Sequence, residues 1–229
     1  MHMSTFTLDA YEVTVSRLRA FVLSGNGVQA NAPQQGAGAG PGLPNGWDPA
    51  WNSGLSPTTA DFENALSCDG TYQTWTLGPA ANDLKPANCI SWYEAVAFCA
   101  WDQGYMPSNF QWNYSAAGGS EQRQYPWSSP SYSTYIDSSY ASYQDSSGNC
   151  LADGSPACTL LDIINVGAKP AGAGKWGHAD LGGNVAEWVS DGGLWGGGFN
   201  YPASALITGQ IYFFPSTARA ASVGFRCAR

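Results

Sequence analysis

Two features of this sequence could carry chemistry, a lone histidine and an oxygen-rich turn. Apart from His2 only His178 is present, so a catalytic triad, a Cys/His pair or a histidine-bound iron would each have to use it. His178 stands between glycines in GKWGHADLGGN, with Asp180 close by, which favours a surface or hydrogen-bonding histidine. The stretch DLGGNVAEW, which begins at Asp180, offers the carboxylate, amide and main-chain oxygens that hard cations such as Ca²⁺ bind.

Six cysteines form an even set without a Cys-x-x-Cys pair: Cys68, Cys89, Cys99, Cys150, Cys158 and Cys227. Zinc sites commonly contain such close pairs, so this arrangement predicts disulfides. Because disulfides persist in oxidising compartments, we expect an extracellular, periplasmic or cell-surface protein. The opening Met-His-Met, residues 1–3, is typical of a cloning remnant, and we expect that a leader has been removed before it.

The composition predicts a surface of uncharged polar groups and aromatic rings. Charged residues are 11% of the chain, against about 25% in an average soluble protein, while Trp, Tyr and Phe make up 14%. The 9 basic and 17 acidic side chains give a net charge of -8, and no Lys/Arg cluster offsets it. That charge opposes phosphate contacts and excludes nucleic acid as a partner. No apolar run is long enough to cross a bilayer, so direct membrane insertion is not expected.

The sequence predicts an α+β fold in which two main helices and several short strands position these residues. After a short strand, TFTLD, the spacing in YEVTVSRLRAFVLSG predicts a surface helix with a buried stripe of Tyr11, Val15, Leu18 and Val22. SWYEAVAFCAWDQG predicts the second helix, since Ser91 and Glu94 form a capping box. Residues 25–46, rich in Gly, Pro, Ala and Gln, predict a long surface loop. Beyond about residue 120, the pieces QYPW, NVAEWVSD, GLWGGGF, QIYFF and ASVGFRCA predict an irregular, loop-rich antiparallel sheet.

Four stretches taken in order resemble the formylglycine-generating enzyme (sulfatase-modifying factor) family. They are TLDAYEVTVSRLRAFV; NCISWYEAVAFCAWDQGYMPSNFQWNYSAAGG followed by YPWS; DLGGNVAEWVSD; and GGGF leading to GFRCAR. Their order and spacing match over the whole chain. The resemblance implies a single disulfide-stabilised domain over residues 1–229, with a variant of the C-type lectin fold.

The resemblance also implies one disulfide, because in the family the helix cysteine pairs with a cysteine of the last strand. Here that pair is Cys99 with Cys227. The bond would close a long loop and stabilise the fold by about 4–5 kcal/mol in the chain-entropy description. The simplest remaining pairs are Cys150 with Cys158 and Cys68 with Cys89. Other pairings stay open at this point.

The catalytic residues of the family do not carry over to this chain. Active members oxidise a substrate cysteine with copper and oxygen, using two cysteines that follow an RGGS segment. Here those positions are Tyr201 and Leu206, and RGGS is replaced by WGGG from Trp195. A cuprous ion needs thiolate ligands that Tyr and Leu do not supply, so no copper is expected. The sequence therefore predicts the scaffold without the catalyst.

The oxygen-rich turn resembles a calcium site of the same family. Carried over by position, the candidate ligands are Gly183, Asn184, Val185 and Glu187. The resemblance thus implies one structural Ca²⁺, and the alternative is a structural turn in which Glu187 pairs with a neighbouring group. A second family site would need an asparagine where this chain has Ser142, so it is not expected.

The last 35 residues, WGGGFNYPASALITGQIYFFPSTARAASVGFRCAR, predict a binding surface. Strand alternation hides only about half of the side chains in IYFF, and exposed rings among Ser, Asn, Thr and Gly are typical of binding loops. The predicted ligand-binding residues are Trp195, Phe199, Asn200, Tyr201, Tyr212, Phe213 and Phe214, flanked by Asn109 and Gln111. The segment is also similar to the variable last segment that retroelement-diversified proteins display on the C-type lectin fold.

Three functions compete on these observations. The first is a ligand-binding protein, secreted or at the cell surface, with a protein or carbohydrate partner and a catalytically inactive scaffold. The second is a metal-dependent oxidase of the family with an altered active site, which would need an unrecognised metal site. The third is a structural or assembly module. The ligand and the oligomeric state stay open.

Overall fold

The α-helices of the computed structural model, which describes residues 5–229, begin at side-chain caps. Thr14 caps the first helix, and Thr58, Ser91 and Ser108 each form a capping box with the acid or amide three residues later. These caps satisfy main-chain N–H groups that have no partner within the helix. The helices are α1 (Val15–Leu23), α2 (Thr59–Ala65), α3 (Trp92–Trp101) and α4 (Asn109–Ala116). The cloning remnant predicted at residues 1–3 lies outside the described residues.

The sequence predicted two main helices, which are α1 and α3, and the described residues contain four. The stripe of Val15, Leu18 and Val22 is buried as predicted, but Tyr11 lies before the cap at Thr14 and is 49% exposed. The prediction for Tyr11 was wrong because the spacing was extended past the helix start. α2 has 7 residues and α4 has 8, which is too short for a period of 3.6 to stand out.

Four short strands form a mixed sheet in the order β3-β2-β1-β4. They are β1 (Ala186–Trp188), β2 (Gly193–Trp195), β3 (Ile211–Phe213) and β4 (Val223–Gly224). β2 pairs antiparallel with β1 and β3, whereas β4 runs parallel to β1, so the predicted antiparallel sheet is corrected. The predicted strand pieces TFTLD and QYPW lie outside the sheet, and Leu8 makes only an isolated bridge to Ala228.

The main core lies between α1, α3 and the sheet. Phe98 of α3 packs edge-to-face against Phe21 of α1 and against Phe225, with ring centroids 5.4 and 5.3 Å apart. Trp188 of β1 is buried, and its Nε1 donates to the carbonyl of Ile90 over 3.0 Å. The polar atom of this large ring is therefore satisfied inside the core.

Three disulfides stabilise this fold, and all three predicted pairings are confirmed: Cys99–Cys227, Cys68–Cys89 and Cys150–Cys158. The first links α3 to the segment after β4. The two end segments of the described chain also pair, since Thr7 and Arg229 exchange main-chain hydrogen bonds of 2.7 Å in both directions. Among residues 5–229, no helix has the length and apolar character needed to span a membrane.

Candidate functional site

The glycine run after β2 turns the chain back into the protein. Gly196 and Gly197 have φ angles of +87° and +63°, which glycine adopts far more readily than other residues. A Cβ on Gly197 would lie 2.8 Å from the Cδ1 atom of Leu206, so the close approach also requires glycine. The turn delivers Phe199 to a fully buried position against Tyr72, at 5.3 Å between ring centroids.

Three residues of the predicted binding surface are buried and are corrected here. Trp195 is 8% exposed and packs on Trp112, with centroids 5.5 Å apart. Phe199 is fully buried, and Gln111 is 3% exposed because its side chain closes the capping box with Ser108. None of the three presents its side chain to a ligand.

Strand alternation divides the remaining predicted residues between two faces of β3. Tyr212 turns toward Tyr201, at 6.0 Å between centroids, and both rings are half-buried. Phe213 pairs with Gly193 on the opposite face and is 68% exposed. Asn109 is linked to the start of β2, since it donates to Asp191 over 2.8 Å and Asp191 in turn accepts from the N–H of Gly193.

The two remaining predicted residues are accessible to solvent: Asn200 is exposed, and Phe214 is 37% exposed. Of the two positions that correspond to the family's cysteines, Leu206 is fully buried and Tyr201 is half-buried.

A second aromatic segment, which was not predicted to belong to the binding surface, lines the same region. Residues 125–143, YPWSSPSYSTYIDSSYASY, alternate tyrosine with serine. Trp127 stacks on Tyr125 at 4.9 Å and on Tyr140 at 5.6 Å, and Tyr135 packs edge-on against Tyr140 at 5.9 Å. This composition is typical of binding loops and could have been found by the criterion applied to the last segment.

The tyrosine-rich segment and the last segment are joined by hydrogen bonds at both ends. The main-chain N–H of Gln144 donates to the carbonyl of Tyr201 (2.8 Å), and that of Thr208 donates to the carbonyl of Gln124 (2.9 Å). Between them, the phenol of Tyr125 donates to Ala203 O (3.0 Å). We call the resulting surface the aromatic face and define it by Trp127, Tyr135, Tyr140, Tyr143, Tyr201 and Tyr212.

The oxygen-rich turn is occupied by internal partners. Both carboxylate oxygens of Glu187 accept from the Arg226 guanidinium, at 2.6 and 2.7 Å, and one also accepts from Nε1 of Trp112 at 2.8 Å. The Oδ1 atom of Asn184 accepts from the main-chain N–H of Ile164 (3.0 Å). The side-chain oxygens of Asn184 and Glu187 are therefore engaged with protein donors, which opposes Ca²⁺ binding by these two groups.

Gly183 and Val185, the other two candidate ligands, belong to the same closed turn. The N–H of Gly183 donates to the carbonyl of Gly196 (2.9 Å), and the N–H of Val185 donates to Glu12 (3.3 Å). Within residues 5–229, no group of three or more His, Cys, Asp or Glu side chains is placed to hold a metal ion. Glu187 pairs with a neighbouring group, as the structural alternative predicts, and the calcium site stays a prediction.

Two further carboxyls complete what we call the buried ion cluster: Glu12, Asp180, Glu187 and Arg226. Burial raises the pKa of Glu12 well above its usual range, and the charges of Asp180 and Glu187 raise it further, against the opposing charge of Arg226. Burial also raises the pKa of Asp180. Arg226 is fully buried and also donates to the carbonyl of Ala179 (2.9 Å), so the cluster fixes the last segment to the turn.

His178 is half-buried and adjoins this cluster. Burial lowers its pKa, and the charge of Arg226 lowers it further, which favours the neutral imidazole. Its Nδ1 atom is buried without a hydrogen-bond partner among the described residues.

Comparison with known proteins agrees with the family resemblance of the sequence. A sequence model described as "Sulfatase-modifying factor enzyme 1-like domain" matches residues 1–229. The chain is 31% identical over 121 residues to the formylglycine-generating enzyme of Mus musculus, a match that covers 50% of this chain and 30% of that protein. It is 26% identical over 156 residues to the inactive C-alpha-formylglycine-generating enzyme 2 of Mus musculus, covering 63% of this chain and 48% of that protein.

The chain therefore spans less than half the length of these curated relatives. Among solved structures, PvdO from Pseudomonas aeruginosa aligns with a TM-score of 0.60 at 20% identity, over 98% of this chain and 80% of that one. At this level of identity, the similarity concerns the fold alone.

Proposed function

The chain belongs to the sulfatase-modifying factor enzyme 1-like domain family, and from that premise we propose that it is a ligand-binding protein whose scaffold no longer carries the copper chemistry. The observation that carries the proposal is the pair of residues at the family's cysteine positions. Leu206 there is packed in the core, and Tyr201 contributes its ring to the aromatic face. The two thiolates that would bind copper are thus replaced by Leu206 in the core and by Tyr201 on the proposed binding surface.

The surroundings of Tyr201 support binding over turnover. Its neighbouring rings stack at 4.9 to 5.6 Å between centroids and are fixed by hydrogen bonds. The rings supply contact area, and the serines among them supply adaptable polar groups, without a reactive centre. The inactive relative supports a family scaffold that works without the oxidase chemistry. The three disulfides support an extracellular, periplasmic or cell-surface location.

We further propose that residues 195–229 form a diversified segment of the kind displayed by retroelement-encoded variable proteins. Variation should then fall on exposed or half-buried positions such as Asn200, Tyr201 and Phe213, while buried Phe199 and Phe225 stay constant. Sequencing the genome beyond the 3′ end of the gene tests this proposal. A neighbouring near-copy that differs mainly at the exposed positions supports diversification, and a locus without such a copy overturns it.

The binding proposal is tested on glycan and protein arrays with the whole chain and a Tyr201→Ser/Tyr212→Ser variant. Tyr11→Ser is the matched control, because Tyr11 is an exposed tyrosine outside the aromatic face. We expect array hits that the double variant loses and the control keeps. Hits that survive in the double variant, or no hits with tight copper binding in calorimetry, would overturn the proposal and favour an altered oxidase.

A further inference from the structure

The two stretches of sequence that form the aromatic face contain carboxylates and no cations, and Lys169 and Lys175 lie between them. Residues 124–168 and 176–218 include no Lys or Arg. The same stretches contain the acidic residues Asp137, Asp145, Asp153, Asp162, Asp180, Glu187 and Asp191. Asp162, Asp180 and Glu187 are buried, whereas Asp137 and Asp145 are accessible to solvent. The accessible carboxylates beside the face are therefore Asp137 and Asp145, and the charge of Lys169 also reaches Asp137.

Two of these carboxylates lie around one ring of the aromatic face. Burial raises the pKa of the Tyr143 phenol, and the negative charges of Asp137 and Asp145 raise it further. Asp137 accepts from the hydroxyls of Ser139 (2.6 Å) and Tyr135 (2.7 Å), and these bonds lower its pKa. Asp137 is thus ionised at neutral pH while it borders Tyr135 and Tyr143.

Hydrogen bonds hold these rings in place before any partner arrives. Nε1 of Trp127 donates to the carbonyl of Tyr135 (3.1 Å), and the hydroxyl of Ser128 donates to the carbonyl of Ser133 (2.6 Å). A surface ordered in advance loses little conformational entropy on binding. Fixed rings with carboxylates at their edges are suited to a guanidinium or ammonium group, which the ring face and the negative charge both attract.

We propose that the aromatic face binds a basic protein surface, with Arg or Lys side chains of the partner lying on the tyrosine rings and reaching Asp137 and Asp145. This inference rests on the proposed binding function and names the class of its partner. Charge complementarity favours a protein over a neutral sugar, because a sugar would stack on the rings and add no positive charge beside Asp137 and Asp145. Lys169, whose charge reaches Asp137, donates instead to the carbonyl of Ala152 (3.4 Å).

The test uses a peptide of alternating Arg and Gly and a second peptide in which citrulline, the uncharged isostere, replaces each Arg. Both are titrated into the whole chain by calorimetry at low and at high salt. We expect binding of the arginine peptide only, and we expect it to weaken about tenfold at the higher salt, as screening of exposed charges requires. Equal binding of both peptides, or no binding of either, would overturn the inference.

A pair of charge-matched variants tests whether peptide binding depends on the carboxylates beside the aromatic face or only on the net charge of the protein. Asp137→Asn removes one negative charge and keeps an oxygen for Ser139, and Glu63→Gln removes one charge from α2, where the Glu63 side chain forms no ion pair among the described residues. We expect Asp137→Asn to weaken peptide binding about 2- to 5-fold, equivalent to about 0.5–1 kcal/mol. Equal weakening by both variants would show non-specific attraction and overturn the inference.

The two proposals fail in different ways. A neutral glycan hit on the arrays that Tyr201→Ser/Tyr212→Ser abolishes would keep the binding function and overturn the basic-protein partner. Absence of any array hit dependent on those tyrosines would overturn the binding function itself.

Discussion

The buried ion cluster and the aromatic face use charge in opposite ways. In the cluster, both oxygens of Glu187 are bonded to Arg226, and no part of the pair meets solvent. On the aromatic face, Asp137 is bonded only to neutral hydroxyl and N–H groups and keeps access to solvent. The cluster lies in the stretches that resemble the family, DLGGNVAEW and GFRCAR. Trp127 of the aromatic face lies in the family-like stretch YPWS, whereas the five tyrosines of the face lie outside all four stretches. The family motifs therefore hold the scaffold, and most of the proposed binding residues lie outside them.

Removing the cation of the cluster is the strongest test of this difference. Arg226→Met leaves the carboxylates of Glu12, Asp180 and Glu187 buried without a counter-charge. Breaking such a pair costs about 3–5 kcal/mol, and urea denaturation should show a loss of that size in the free energy of unfolding. The double variant Arg226→Met/Glu187→Leu should recover part of it. A single variant as stable as the wild type would mean that the cluster does not support the fold.

A second test compares two phenylalanines of the last segment. Phe199→Ala removes a fully buried ring and should lower the free energy of unfolding by about 3–5 kcal/mol. Phe213→Ala removes a ring that is 68% exposed and should change it by less than about 0.5 kcal/mol. Thermal denaturation of both variants gives the comparison. A large loss for Phe213→Ala would place that ring in the scaffold.

The pH dependence of stability tests the charge balance of the cluster. Because the pKa of Glu12 is raised in the folded state, its contribution to stability is full below about pH 4.3, its unfolded value, and is lost as pH rises through the folded pKa. Glu12→Gln removes this titration. The free energy of unfolding of the variant should therefore rise relative to that of the wild type as pH rises, by at most about 1.4 kcal/mol per pH unit. A difference independent of pH between about 4.5 and 8 would contradict it.

Calcium provides the smallest expected effect. Since the side-chain oxygens of Asn184 and Glu187 already accept from protein donors, addition of Ca²⁺ or of a chelator should leave the melting temperature unchanged. Differential scanning calorimetry with millimolar Ca²⁺ and with chelator is the measurement. A clear rise with Ca²⁺ would show that the turn rearranges to bind the ion and would restore the calcium prediction.

Local signals in the sequence were enough for part of the fold. The predicted capping box of Ser91 and Glu94 is present at the start of α3. It could be predicted because both partners lie within one helical turn of the sequence. The three disulfide pairings are also confirmed, although Cys99–Cys227 was implied by the family resemblance and not by a local signal. The parallel pairing of β4 with β1 was not predicted, since residues distant in the chain decide it and no turn motif encodes it.

The site was harder to predict because burial in short strands depends on neighbours. Trp195 and Phe199 stand among residues typical of a binding loop, yet the glycine turn directs both rings into the protein. Strands of three residues give too few alternations to assign a face, so Tyr212 and Phe213 were placed on one surface. The tyrosine-rich segment was detectable by composition, but the bonds that bring Gln144 to Tyr201 are not visible in the sequence.

The pairing of Thr7 with Arg229 makes the domain a natural insert for another protein. Adjacent strands lie about 5 Å apart, so the chain enters and leaves at nearly one point. A host loop could carry residues 5–229 between two short linkers without stretching either of them. The tyrosine-rich segment would remain internal to such a graft.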